Sequence, residues 1–123
     1  MSIERFNPEG MLHFASYNHV VKAGNIVYIA GQVGKNEDGT LAGPDITSQT
    51  EKIFENIQLC LAAVGGELSN LTSINVYLRD KADRDGFFAV KDKYLQDNLP
   101  TQTMLVVNSM GERVEIEATA YVE

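Results

Sequence analysis

The sequence predicts an α/β (α+β) domain, a mixed β-sheet with two helices packed on one face in the order β-β-α-β-α-β-β. Three observations carry this. Two segments repeat apolar residues at helical spacing, and several others alternate apolar and polar residues as strands do. Two strand–helix–strand successions imply parallel pairs, with terminal hairpins adding antiparallel ones. A length of 123 residues suits one domain, 1–123. Hydrophobic residues at 44% and charged residues at 22% exclude a disordered or fibrous chain.

The first strand pair is His19 to Lys22 and Ile26 to Ala30, joined through Ala23-Gly24-Asn25; Gly-Asn between β-rich runs signals a hairpin. A turn-rich stretch follows from Asn36 to Gly43-Pro44. Ser48 to Val64 is the clearest helix. Ser48 and Glu51 form a capping-box pattern, and Ile53, Ile57, Leu61 and Val64 make an apolar stripe flanked by Phe54 and Cys60. Gly65-Gly66 supplies the stop. Cys60 beside this stripe reads as core.

Ser73 to Leu78 alternates, with Ile74, Val76 and Leu78 on one face and Asn75 and Tyr77 on the other. A second helix runs from about Asp83 to Gln96 and ends before Asn98-Leu99-Pro100. Gln102 to Asn108 is a strand rich in β-branched residues. Val114 to Val122 closes the pattern, with Val114, Ile116, Ala118, Ala120 and Val122 opposite Glu115, Glu117, Thr119 and Tyr121. Two helices cover only one face of such a sheet, so the other face is expected to meet another copy of the chain.

Ten Lys+Arg against seventeen Asp+Glu leave a net charge of −7 and a pI near 4.7. That balance argues against nucleic acid and anionic membranes as partners. One cysteine and two histidines exclude an intramolecular disulfide and argue against a structural zinc site; no cofactor or metal is expected. Neither a membrane span nor a signal-peptide pattern is seen, so a cytoplasmic location is the expectation.

Two features stand out chemically. On the second helix, at about 100° per residue from Phe87, Lys91 falls near 40°, inside the arc of Phe87, Phe88, Val90, Tyr94 and Leu95. A lysine there must snorkel, find a partner, or line an anion-binding pocket. On the last strand, Glu115 and Glu117 project from one face, where paired acids do general acid/base work if burial raises one pKa. The alternative is a solvated or salt-bridged strand face. His13 and His19 lack a nucleophile motif, Gly31-Gln32-Val33-Gly34 is too short for a phosphate loop, and Met104 and Met110 read as core rather than cofactor contacts.

Several segments, in this order, resemble the Rid (YjgF/YER057c/UK114) family. They are Ser16-Tyr17, Ala30-Gly31-Gln32-Val33, Asn75 to Asp80, Val90 to Tyr94, Pro100-Thr101-Gln102-Thr103 and Val114-Glu115-Ile116-Glu117-Ala118. The resemblance spans nearly the whole chain. It implies a chorismate-mutase-like fold, a homotrimer with clefts between subunits, and hydrolysis of reactive enamines or imines to a ketoacid and ammonia. It also implies Tyr17 and Glu115 as catalytic residues, the glutamate positioning the attacking water. The family's deaminases hold the substrate carboxylate with an arginine where this chain has Gln102, which loses the charge and the bidentate fork. Lys91 matches a family cleft position, so the expectation is that it restores that charge. Gln102, Lys91, Met104 and Gly31 form the expected substrate-binding set. The competing expectations are a metabolite-binding trimer without turnover and, less favoured by the charge, an endoribonuclease or translation inhibitor.

Overall fold

The computed structural model describes residues 2–108 and 110–123. Six strands form one sheet: β1 (Ile3–Phe6), β2 (Val20–Ala23), β3 (Ile26–Val33), β4 (Leu71–Leu78), β5 (Thr101–Val106) and β6 (Val114–Tyr121). Helices α1 (Ile46–Ala62) and α2 (Arg84–Tyr94) complete the mixed α/β architecture that the sequence predicts. Neither helix is long and apolar enough to cross a membrane.

Alternation decides which face the helices cover. Ile74, Val76 and Leu78 of β4 are buried together with Val114, Ile116, Ala118 and Ala120 of β6. Against them pack Ile53, Phe54, Ile57, Cys60 and Leu61 of α1, and Phe87 and Val90 of α2. Cys60 is a core residue; burial pushes its thiol up to about 12. The opposite face carries Tyr28, Tyr77, Leu105, Glu115, Glu117, Thr119 and Tyr121, and on it Tyr28 and Leu105 are each more than half exposed.

The strand order is β1-β2-β3-β6-β4-β5. This differs from the sequence reading in two ways. A strand precedes the hairpin: β1 pairs antiparallel with β2 at the sheet edge. Its four residues, Ile3-Glu4-Arg5-Phe6, are largely exposed and carry no buried alternation to announce them. Second, β5 and β6 do not form a hairpin. β6 enters between β3 and β4, antiparallel to both, so β3 and β4 run parallel without touching. Among the described residues, only β4 and β5 form a directly bonded parallel pair.

Helix α1 is capped three residues earlier than its capping-box pattern implies. Asp45 is the N-cap, and its carboxylate accepts a hydrogen bond from the Ser48 hydroxyl. Ser48 therefore sits inside the first turn. The expected glycine stop is in place: Gly65 takes φ +77, and the Gly66 amide returns to the Leu61 carbonyl.

At its other end α1 lies directly on the end of β3. A Cβ at Gly34 would stand 2.6 Å from the Gln49 Cα, a backbone atom that cannot yield. Gln49 itself is tied at both ends, donating to the Gly43 carbonyl and accepting from the Arg113 amide. Gly34→Ala should therefore cost about 1–3 kcal/mol through overpacking. Urea unfolding should show a lower midpoint with an unchanged m-value.

Candidate functional site

The β3–β6 register breaks between Ile29 and Gln32. The bulge turns the buried Gln32 side chain towards His19 and leaves Gly31 under the Glu115 side chain, whose own strand partner is Val33. Gln32 Nε2 donates to the Ala30 carbonyl at 3.0 Å and lies 3.0 Å from His19 Nδ1. His19 Nε2 lies 2.6 Å from the Leu12 carbonyl. Both ring nitrogens are thereby occupied, which makes His19 a brace between β2 and the preceding loop rather than a free base. Asn7 Oδ1 accepts from the His19 amide at 3.0 Å and fixes the same junction.

That brace carries the aromatic wall of a cleft. Phe14 stacks on Tyr17, with centroids 5.0 Å apart, and Tyr17 meets His19 edge-on at 6.1 Å. A cavity of about 110 Å³ lies against them, lined also by Gly31, Lys35, Asn56 and Glu115. A Cβ on Gly31 would overlap Glu115 Oε2, so the glycine leaves the space the carboxylate uses.

The two strand acids have different environments. Glu117 accepts from the Tyr77 hydroxyl at 2.6 Å and from Asn75 Nδ2 at 3.1 Å. Those bonds hold it as a structural acceptor on the open sheet face and push the Tyr77 phenol up. Glu115 accepts no side-chain hydrogen bond among the described residues. Burial first, then repulsion from Glu112 and Glu117, raises its carboxyl above the usual carboxylate value. Burial, with the nearby Glu115 charge adding to it, also raises the Tyr17 phenol.

Of the residues singled out from sequence, Tyr17, Gly31 and Glu115 come together in this cleft. Gln102, Lys91 and Met104 lie elsewhere on the chain. Gln102 pairs with Ile74 and Met104 with Val76, which puts both on the helix-covered face of β5. Lys91 Nζ donates to Gln102 Oε1 at 2.6 Å and stands 5.5 Å from the Phe88 ring centroid. The lysine on the apolar face of α2 thus finds an amide and an aromatic face. Met104 packs against the core. Among the described residues, no cluster of three His, Cys, Asp or Glu side chains is placed to hold a metal ion.

Sequence reasoning missed Lys35, Asn56, Phe14 and the bracing role of His19. Asn56 had a readable signal: three residues after Ile53 and four before Cys60, it is a polar side chain on the apolar stripe of α1. Lys35 had none, because nothing in a turn-rich stretch tells which side chain folds back.

The family model described as Endoribonuclease L-PSP matches residues 10–122. RutC family protein PH0854 of Pyrococcus horikoshii is 34% identical over 110 residues, covering 87% of this chain and 87% of the relative. The 2-iminobutanoate/2-iminopropanoate deaminase of Dermatophagoides farinae is 28% identical over 111 residues, covering 87% and 86%. The crystal structure of yeast Mmf1 superposes with a TM-score of 0.94 at 26% identity, covering 99% of this chain and 100% of that one. The bulged β3, the central β6 and the cleft between them are thus features of a chain that belongs to the Rid family, the family of the Endoribonuclease L-PSP model.

Proposed function

We propose that this protein is a hydrolytic deaminase of a small enamine or imine, working as a homotrimer. The observation that carries the reading is Glu115: a carboxylate raised in pKa, accepting no side-chain hydrogen bond among the described residues, and facing a small cleft beside Tyr17. A relative named as a 2-iminobutanoate/2-iminopropanoate deaminase supports the reaction class.

Imine hydrolysis needs a base that first takes a proton from water and then returns it. Water oxygen bonds to the imine carbon while Glu115 takes one water proton and passes it to the nitrogen, giving a neutral carbinolamine. Glu115 then takes the carbinolamine hydroxyl proton and returns it to the nitrogen as the carbonyl forms and the C–N bond breaks, so ammonia leaves with both water protons. One water is consumed, and one ketone and one ammonia are released. An enamine enters the same route after tautomerising to the imine. A carboxyl raised towards neutrality suits both transfers. Phe14 and Tyr17 wall the site and limit the substrate to a few carbons in a cavity of about 110 Å³.

Trimer formation is supported by the open sheet face, where Tyr28 and Leu105 are more than half exposed and Tyr121 nearly so. A second reading, a metabolite-binding trimer without turnover, is favoured by Gln102, whose amide oxygen is already taken by Lys91. A thermal-shift ligand that stabilises without being consumed would support that reading over turnover.

Release of ketoacid and ammonia from freshly generated amino-acid imines is the direct test, and no acceleration over buffer would refute the deaminase. Glu115→Gln should lower kcat about 10²–10⁴-fold while leaving the melting temperature unchanged or raised, since a half-buried, repelled charge is removed. Activity requires ionised Glu115 to accept the water proton. It should therefore fall as pH drops through a midpoint above the ordinary glutamate value of 4.5. Gly31→Ala should displace the flexible end of Glu115, cutting activity strongly with little loss in urea stability. Sedimentation equilibrium should return the mass of three chains, and a stable monomer at micromolar concentration would count against the assembly.

A further inference from the structure

Glu115 and Glu117 stand two residues apart on the open face of β6, and β4 presents two polar side chains to the same face. The register sets Tyr77 directly opposite Glu115 and Asn75 directly opposite Glu117. Residues opposite each other on one face are nearest cross-strand neighbours, so each acid has a donor across from it. The hydrogen bonds depart from that pairing. The Tyr77 hydroxyl crosses diagonally to Glu117 Oε1 at 2.6 Å, and Asn75 Nδ2 donates to the same oxygen at 3.1 Å. Glu117 takes both donors, and Glu115 receives neither.

Tyr77, Glu115 and Glu117 border one shallow cavity of about 320 Å³, together with Val107 and Met110. Both carboxyls thus share a space with the phenol, which is committed to one of them. Glu115 Oε2 lies on the β3 side instead, over Gly31. A bond from Tyr77 would draw that carboxylate back towards β4 and away from Tyr17.

We infer that Glu117 is a positioning residue for the chemistry of the cleft: it holds both donors of the open face, so that the Glu115 carboxylate stays unpartnered and turned towards Tyr17. The inference rests on the deaminase reading for the reaction that Glu115 serves. Loss of the acceptor at residue 117 releases Tyr77 to its directly opposite neighbour. A hydrogen bond to a carboxylate favours the ionised form and makes it a weaker base. The other titratable groups around Glu115 are Tyr17 and His19 beside the cleft, Lys35 beyond β3 and Glu112 before β6. All four are left untouched by the substitutions that test the role.

The test is a double-mutant cycle on the full chain, read as the titration midpoint of the Glu115 side chain by carbon NMR, with Glu115→Gln assigning the signal. Tyr77→Phe alone should leave the midpoint nearly in place, because the phenol is engaged by Glu117. Glu117→Leu should lower it. Adding Tyr77→Phe to Glu117→Leu should raise it again by about one pH unit, the scale of one hydrogen bond to a charged group. Glu117→Gln removes the same like charge but keeps an acceptor, and should show no such response to Tyr77→Phe. The acid limb of imine hydrolysis should follow the same pattern, moving to lower pH in Glu117→Leu and back in the double variant. A merely structural loss would not move it in that way. Glu117→Val, also without an acceptor and suited to a strand, repeats the cycle if Glu117→Leu does not fold. A midpoint that ignores Tyr77→Phe in the acceptor-free background, or that Tyr77→Phe shifts equally in the wild type, overturns the inference. Because the midpoint is read without turnover, the two readings fail separately. Hydrolysis without the coupling removes only the Glu117 role. The coupling without hydrolysis by the wild type removes only the deaminase.

Discussion

A carboxylate occupies the space where residue 31 would otherwise carry a side chain. This contact between Glu115 and Gly31 is the constraint on which the site depends. It requires a bulge in β3, because a regular ladder would not shift the register between Ile29 and Gln32. The same bulge sends Gln32 inward to hold His19, and His19 in turn supports the Phe14–Tyr17 wall. One irregularity of the backbone therefore shapes the floor and the aromatic side of the cleft together.

Two glutamates on one strand face, two residues apart, end with different chemistry because their neighbours differ. Tyr77 and Asn75 both donate hydrogen bonds to Glu117. Glu115 has burial and two like charges around it instead.

Strict alternation made β4 and β6 legible, since each has one buried face and one open face. The 3.6-residue period likewise exposed both helices and the misplaced Lys91. What could not be read was order in space. β5 precedes β6 in the chain, and nothing in Met110-Gly111-Glu112 says that β6 passes over its neighbour to lie beside β3. β1 escaped notice because an edge strand of four exposed residues carries no core pattern. In the cleft, Glu115 is legible from strand alternation and Tyr17 from family resemblance, and Asn56 could have been found by the arithmetic that singled out Lys91. Lys35 depends on a backbone bridge between residues six apart in a turn-rich stretch, which no periodicity encodes.

The central position of β6 also orders events in time. Its two neighbours, β3 and β4, are both synthesised before it, and until it arrives each presents an unpaired edge. Pairings that join distant parts of a chain are slow to form, and here they must wait for the segment made after all the others. Glu115 travels in that segment. Closure of the sheet and arrival of the carboxylate are therefore one step during biosynthesis, and a nascent chain that stops short of β6 has neither a complete core nor a reactive cleft.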